Sequence, residues 1–157
     1  VIQVFEATKA DAQPIEHLSG AVCYVGTGHV DADGSGGNPW GDPDFQPRTS
    51  LKRPDGNWLN ANEERYIAVP PGVVSGVRPI VLGCQAWVLY RGHCVSAVVA
   101  DVGPAGKLGE LSVACARAMG MNPSPTRGGE DKPVVHYILW PGIPAQVDGR
   151  QYHLQAS

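Results

Sequence analysis

Two acidic residues, Asp101 and Glu110, stand on either side of the short Gly/Pro loop Val102-Gly103-Pro104-Ala105-Gly106. Held on rigid elements and facing one another, two such carboxyls can divide a hydrolysis between them. One keeps a proton for the leaving oxygen, and the other activates a water or attacks directly, as cleavage of a glycosidic bond requires. Spacing alone also admits a plainer reading, in which Glu110 favours the positive end of a helix and Asp101 caps a strand or loop.

The elements that must position this pair are legible on either side of the loop. Val95-Ser96-Ala97-Val98-Val99-Ala100 is short, rich in β-branched residues and uncharged, as expected of a strand with both faces buried, ending at Asp101. From Leu111, apolar residues recur at Leu111, Ala114, Cys115 and Ala118, the rhythm of a helix with one inward face. Gly120 suits the left-handed residue that closes such a helix. This places Asp101 at a strand end and Glu110 at a helix start.

Ala100-Asp101-Val102-Gly103-Pro104 followed by Gly109-Glu110-Leu111-Ser112 resembles the signature of the family 75 glycoside hydrolases, the chitosanases. Asp31-Ala32-Asp33-Gly34 is similar to that family's Asp-x-Asp-Gly, and Val134 to Gly142 is similar to its last apolar strand. The resemblance spans roughly Ala21 to Gly142. It implies that Asp101 and Glu110 are the catalytic pair, that the substrate is chitosan and that the anomeric configuration is inverted. It also implies a secreted enzyme on a six-stranded double-psi barrel. Where members carry acids ahead of the Asp-x-Asp-Gly segment, this chain has Thr27 and His29, a departure that touches substrate preference more than reaction type.

Gly26 to Ser50 is the most polar stretch and reads as a loop, with Asp31, Asp33, Asp42 and Asp44 among glycines and prolines. Turn chemistry accounts for such residues. The functional reading is an acidic cleft wall that pairs with substrate ammonium groups, with Trp40 and Phe45 available to stack on sugar faces. Lys107, between the two acids, is placed to tune either. Asp31-x-Asp33-Gly34 lacks the third ligand and the closing Glu of an EF-hand, and no two His stand at metal spacing, so no metal is expected. No cofactor is expected either.

The 157 residues suffice for one domain, here residues 1–157, with its own core. Twenty Gly and 14 Pro, with 17% charged residues, point to a turn-rich β protein. A net charge of −3 gives no basic surface for nucleic acid, and no apolar run is long enough to span a membrane. No leader-like segment opens the chain, which begins at Val1 as a processed product would. The expected partner is a polysaccharide, and a monomer is the default. Cys23, Cys84, Cys94 and Cys115 contain no CxxC pair. A two-residue turn at Arg91-Gly92 sets Leu89 opposite Cys94 and puts Cys84 and Cys94 on opposite faces, which excludes a bridge between them. The other pairings stay open.

Further strands are expected at Val1–Phe5, Ala21–Val25, Tyr66–Val69 (stopped by Pro70-Pro71), Ile80–Tyr90 and Val134–Trp140 (stopped by Pro141-Gly142). A short terminal strand or hairpin is expected within Val147–Leu154, with Asp148-Gly149 at its start. Asp11–Leu18 reads as a helical turn, and Asn122–Lys132 as a loop. The total of five or six main strands and one main helix predicts a mainly β fold, a small barrel. Desolvation at a strand end would make Asp101 the general acid, and a helix dipole would make Glu110 the base; the opposite assignment also stands. Two alternatives accompany this reading. The same acids could cleave peptidoglycan or another acetylated glycan. Alternatively, the chain is a non-catalytic sugar-binding domain with Trp40, Trp58, Trp87 and Trp140 as platforms.

Overall fold

Alternation of buried and open positions along Val22–Asp31 shows how the sequence builds a wall. Val22, Tyr24, Gly26, Gly28 and Val30 point inward while Cys23, Val25, Thr27, His29 and Asp31 point out. This is the period of two that a half-buried strand imposes. The computed structural model describes residues 2–6, 14–17, 20–74, 80–104 and 107–155.

Six strands close into a barrel: β3 (Val22–Asp31), β4 (Tyr66–Val69), β5 (Cys84–Tyr90), β6 (His93–Val102), β7 (Glu110–Ser112) and β8 (Glu130–Pro144). Around the wall the order is β3-β7-β4-β6-β5-β8, and β8 pairs back to β3. Closure leaves no free edge within the ring. Two pairings are parallel, β3 with β7 and β4 with β6; the others in the ring are antiparallel. Outside the ring, β1 (Ile2–Glu6) lies parallel to the first half of β3, and β2 (Pro14–His17) pairs antiparallel with β1. A small hairpin of β9 (Gln146–Val147) and β10 (Arg150–Gln151) turns at Asp148-Gly149. The expected mainly β, six-stranded barrel is therefore present, with two short helices, α1 (Pro71–Val74) and α2 (Val113–Ala118).

Inward side chains fill the barrel. Tyr24 and Tyr137 stack with ring centroids 4.8 Å apart, among Val22, Val30, Ile67, Val88, Val99, Leu111 and Leu139. Each such side chain removed from water contributes about 1.5–3 kcal/mol before entropy is counted. The β5–β6 hairpin turns on Arg91 and Gly92, both at positive φ, with Leu89 facing Cys94 as the sequence indicates. All four cysteines are free thiols; Cys84 is buried and Cys94 exposed.

Several boundaries differ from the sequence reading. Glu110 does not open a helix: residues 110–112 form a strand, because backbone pairing to β3 on one side and β4 on the other outweighs the helical period. The helix begins at Val113, capped by Ser112, whose hydroxyl accepts the Cys115 N–H. Its buried face is Val113, Cys115 and Ala116, while Ala118 is exposed. Gly120 follows with φ 71°, as expected. β3 runs on to Asp31, so the polar loop starts later than Gly26. β5 begins at Cys84 rather than Ile80. β8 takes in Glu130–Lys132 and continues through Pro141-Gly142. The Asp11–Leu18 stretch holds strand β2 instead of a helical turn, with 11–13 and 18 outside the described residues, as are Val1 and loop positions 105–106.

Candidate functional site

Ala68 is the reference point of the site. Its β4 position pairs with Glu110 of β7 on one side and with Asp101 of β6 on the other. Glu110 in turn pairs with His29 of β3. His29, Glu110, Ala68 and Asp101 therefore form one lateral row across four strands, all on the outer face of the barrel. The next row, Val30, Leu111, Ile67 and Val99, faces the core. Two inter-strand steps of about 4.8 Å each set the Cα atoms of Glu110 and Asp101 roughly 10 Å apart.

Asp101 joins this row through an irregularity. β4 and β6 are in register at Ile67–Val99, yet Ala68 pairs with Asp101, so Ala100 is an extra residue on β6. A bulge of this kind reverses the facing of the residues beyond it. Without it Ala100 would face outward and Asp101 would point into the core. The carbonyl of Ala100 accepts the N–H of Leu51 at 2.8 Å, which ties the bulge to a buried residue of the preceding loop.

The row opens into a cleft of about 640 Å³ walled by Asp31, Asp33, Asp42, Asp44 and Gln46 on one side and residues 102–104 and Lys107 on the other. The acids and Lys107 singled out from the sequence all line it, and the two aromatics, Trp40 and Phe45, do not. Trp40 packs against the core, and its indole N–H donates to Asn62 Oδ1 at 2.9 Å. It closes the loop over the barrel and offers no face to the cleft. Thr27, too, is structural: its carbonyl accepts the Tyr137 hydroxyl at 2.6 Å. Sequence reasoning passed over Ser50, which has no distinguishing mark within a polar loop, yet touches Asp101 twice.

Asp101 Oδ1 accepts three hydrogen bonds: from Ser50 Oγ (2.6 Å), Ser50 N (3.1 Å) and Val102 N (3.0 Å). Burial pushes its carboxyl up, and these donors pull it back. Glu110 is also pushed up by burial, opposed by Lys107, whose Nζ lies 3.6 Å from Oε1. The charges of Asp101 and Asp33 add to the upward push on Glu110. Its carboxylate leaves no space beside Gly103, where a Cβ would run into Oε2. Gly109 serves the same strand: at φ 106° it lets β7 approach the Thr27 backbone, which a Cβ would strike. His29 is held below its usual value by burial and then by Lys107, against the charges of Asp42, Asp44 and Asp131.

Carboxylate oxygens of Asp31, Asp33 and Asp101 converge within 4.8 Å of one another. Each already has N–H donors. Asp31 Oδ1 accepts the Asp33 amide at 2.8 Å, and Asp33 Oδ1 accepts the Gln46 amide at 2.7 Å. The turn reading of Asp31-x-Asp33-Gly34 is met by the first of these bonds, and a small cation would fit among the oxygens without being needed to explain them. Burial raises Asp31 well above the carboxylate range, with the Asp33 charge adding to it; burial pushes Asp33 up to about 6.

That crowding has a consequence for stability. In the unfolded chain Asp33 titrates near the ordinary value of 3.8, and in the fold near 6, so folding takes up a proton between the two. Stability is thus fullest below the lower value and declines as pH rises through the upper one. The melting temperature is expected to be higher at about pH 5 than at about pH 7.5, and Asp33→Asn should shrink the gap. A variant with an unchanged gap, measured by calorimetry, would show that Asp33 carries no such strain.

No family model matches the chain, and no curated protein matches it. Among solved structures, the Streptomyces papain inhibitor (SPI) is similar at a TM-score of 0.43 and 18% identity, over 59% of this chain and 86% of the inhibitor's.

Proposed function

We propose that the chain is an endo-acting glycoside hydrolase that cleaves β-1,4 bonds in chitosan, with Asp101 and Glu110 as its carboxylate pair. The observation that carries the reading is the shared register at Ala68, which sets two largely buried carboxyls along one open cleft. A two-strand step favours the wider carboxyl separation of inverting enzymes, about 6.5–9.5 Å, over the roughly 5–5.5 Å of retaining ones. Six acidic side chains line the cleft against Lys107 and His29, an excess of acid groups suited to a polymer bearing ammonium groups. The sequence resemblance to family 75 points the same way.

Roles follow from what each carboxyl touches. Glu110 stands on a strand, so no helix dipole favours its charged form, and the assignment of Glu110 as base loses its ground. Three donors on Asp101 Oδ1 favour a carboxylate there, whereas on Glu110 burial, joined by the charges of Asp101 and Asp33, favours the protonated form against the pull of Lys107. In this reading Glu110 delivers its proton to the glycosidic oxygen as the C–O bond breaks. Asp101 takes a proton from the water that attacks the anomeric carbon from the opposite face. The protein acts outside the cell, where the polymer is met. Because the cleft is built from a single chain, a monomer suffices.

A second reading, cleavage of peptidoglycan or another acetylated glycan, draws on His29 standing beside Glu110 in place of an acid. A reducing-end assay on chitosans of graded acetylation separates the readings. Activity falling as acetylation rises supports chitosan as substrate, and the reverse trend supports the acetylated glycan. Binding without new ends supports a sugar-binding domain, for which Trp87 on the outer wall supplies an exposed ring. A proton NMR time course should show the α-anomer first; initial β-anomer would exclude inversion.

A further inference from the structure

We propose that Ser50 is a positioning residue that clamps Asp101 through Oδ1 and leaves Oδ2 as the oxygen that works in the cleft. The inference rests on the hydrolase reading and extends it to a residue outside the carboxylate pair.

The clamp is built from the loop inward. Thr49 and Leu51 are both buried, and Thr49 Oγ1 donates to the Leu51 carbonyl at 2.7 Å while accepting the Leu59 amide at 3.2 Å. Leu51 N–H reaches the bulge carbonyl of Ala100. Ser50, between these anchors, presents both its amide and its hydroxyl to the same carboxylate oxygen. Val102 N–H approaches that oxygen from the strand itself. Three donors on one oxygen fix the plane of the carboxyl group and exhaust that oxygen's capacity. Among the described residues no hydrogen bond reaches Oδ2. The bulge turns Asp101 outward; the loop segment 49–51 sets how far its carboxyl then rotates. Loss of a hydroxyl donor loosens the carboxyl by a fraction of an ångström, a scale on which catalytic geometry is sensitive.

The test uses Ser50→Ala, which removes the hydroxyl and keeps the amide, and Ser50→Thr, which restores a hydroxyl. With chitosan as substrate, Ser50→Ala should lose roughly 10–100-fold in kcat with KM near the parent value, and Ser50→Thr should recover most of it. In parallel, the Asp101 carboxyl carbon is followed by NMR titration, with Asp31, Asp33 and Glu110, the acids around it, followed as controls. The Asp101 midpoint should rise by about one pH unit in Ser50→Ala, since a donor to the charged form is gone. An unmoved Asp101 midpoint overturns the clamp whatever the activity. A moved midpoint with an unchanged kcat overturns the positioning role. If the parent protein cleaves no glycan while the midpoint moves, the hydrolase reading falls and the clamp stands.

Discussion

If the proposed hydrolase reading holds, Glu110→Gln is expected to cut chitosan hydrolysis by about 10²–10⁴-fold, the usual contribution of a single general acid or base, with the barrel intact. The amide matches the carboxyl in size, so the narrow space beside Gly103 is filled as before. It has no acidic proton to give, and it no longer pairs with Lys107. Asp101→Asn should fall by a similar factor, because an amide cannot take a proton from water. Neither variant should melt earlier than the parent: burial works against the charged form of both groups, and a neutral isostere relieves that cost. Circular dichroism and melting temperature, measured beside the reducing-end assay, separate loss of chemistry from loss of fold. An active Glu110→Gln retires Glu110 from the mechanism.

The largest effect on stability is expected at Glu64, away from the cleft. Its side chain is fully buried and accepts from Tyr152 Oη (2.7 Å), Asn60 N (3.0 Å) and Arg53 Nη1 (3.1 Å), with Arg150 Nη1 at 3.8 Å. These partners belong to the 53–64 turn and to the end of the chain, so one carboxylate ties the C-terminal hairpin to the barrel. Removing one member of a buried ionic network typically costs about 3–5 kcal/mol, because the groups left behind are desolvated and unpaired. Glu64→Ala should therefore lower the urea midpoint by that equivalent with the slope unchanged. At about 2–4 °C per kcal/mol, the melting temperature should drop by roughly 10 °C. A loss below about 1 kcal/mol would place the network among those that water replaces cheaply.

The two acids were legible because residue type and flanking pattern survive without coordinates. A β-branched run ending in Asp, then Gly and Pro, then Glu, reads as an element, a loop and a second element. The acidic wall was legible for the same reason: Asp31, Asp33, Asp42 and Asp44 stand in or beside a stretch rich in Gly and Pro, and all four line the cleft. What failed was geometry that depends on a partner. Leu111 to Ala118 carries a helical rhythm, yet its first residues are claimed by β3 and β4, whose backbone groups need pairing. Trp40 has the composition of a sugar platform and the placement of a plug.

By itself, then, the sequence determined a turn-rich β chain, the hairpin at Arg91-Gly92 and which acids flank the Gly/Pro loop. These are properties of residue type and short-range period. Only the tertiary structure decided that Asp101 and Glu110 share a face. That outcome turns on one extra residue, Ala100, and on a register at Ala68 set by strands distant in the chain. A one-residue slip would have sent Asp101 into the core, and no local pattern records whether such a slip occurs.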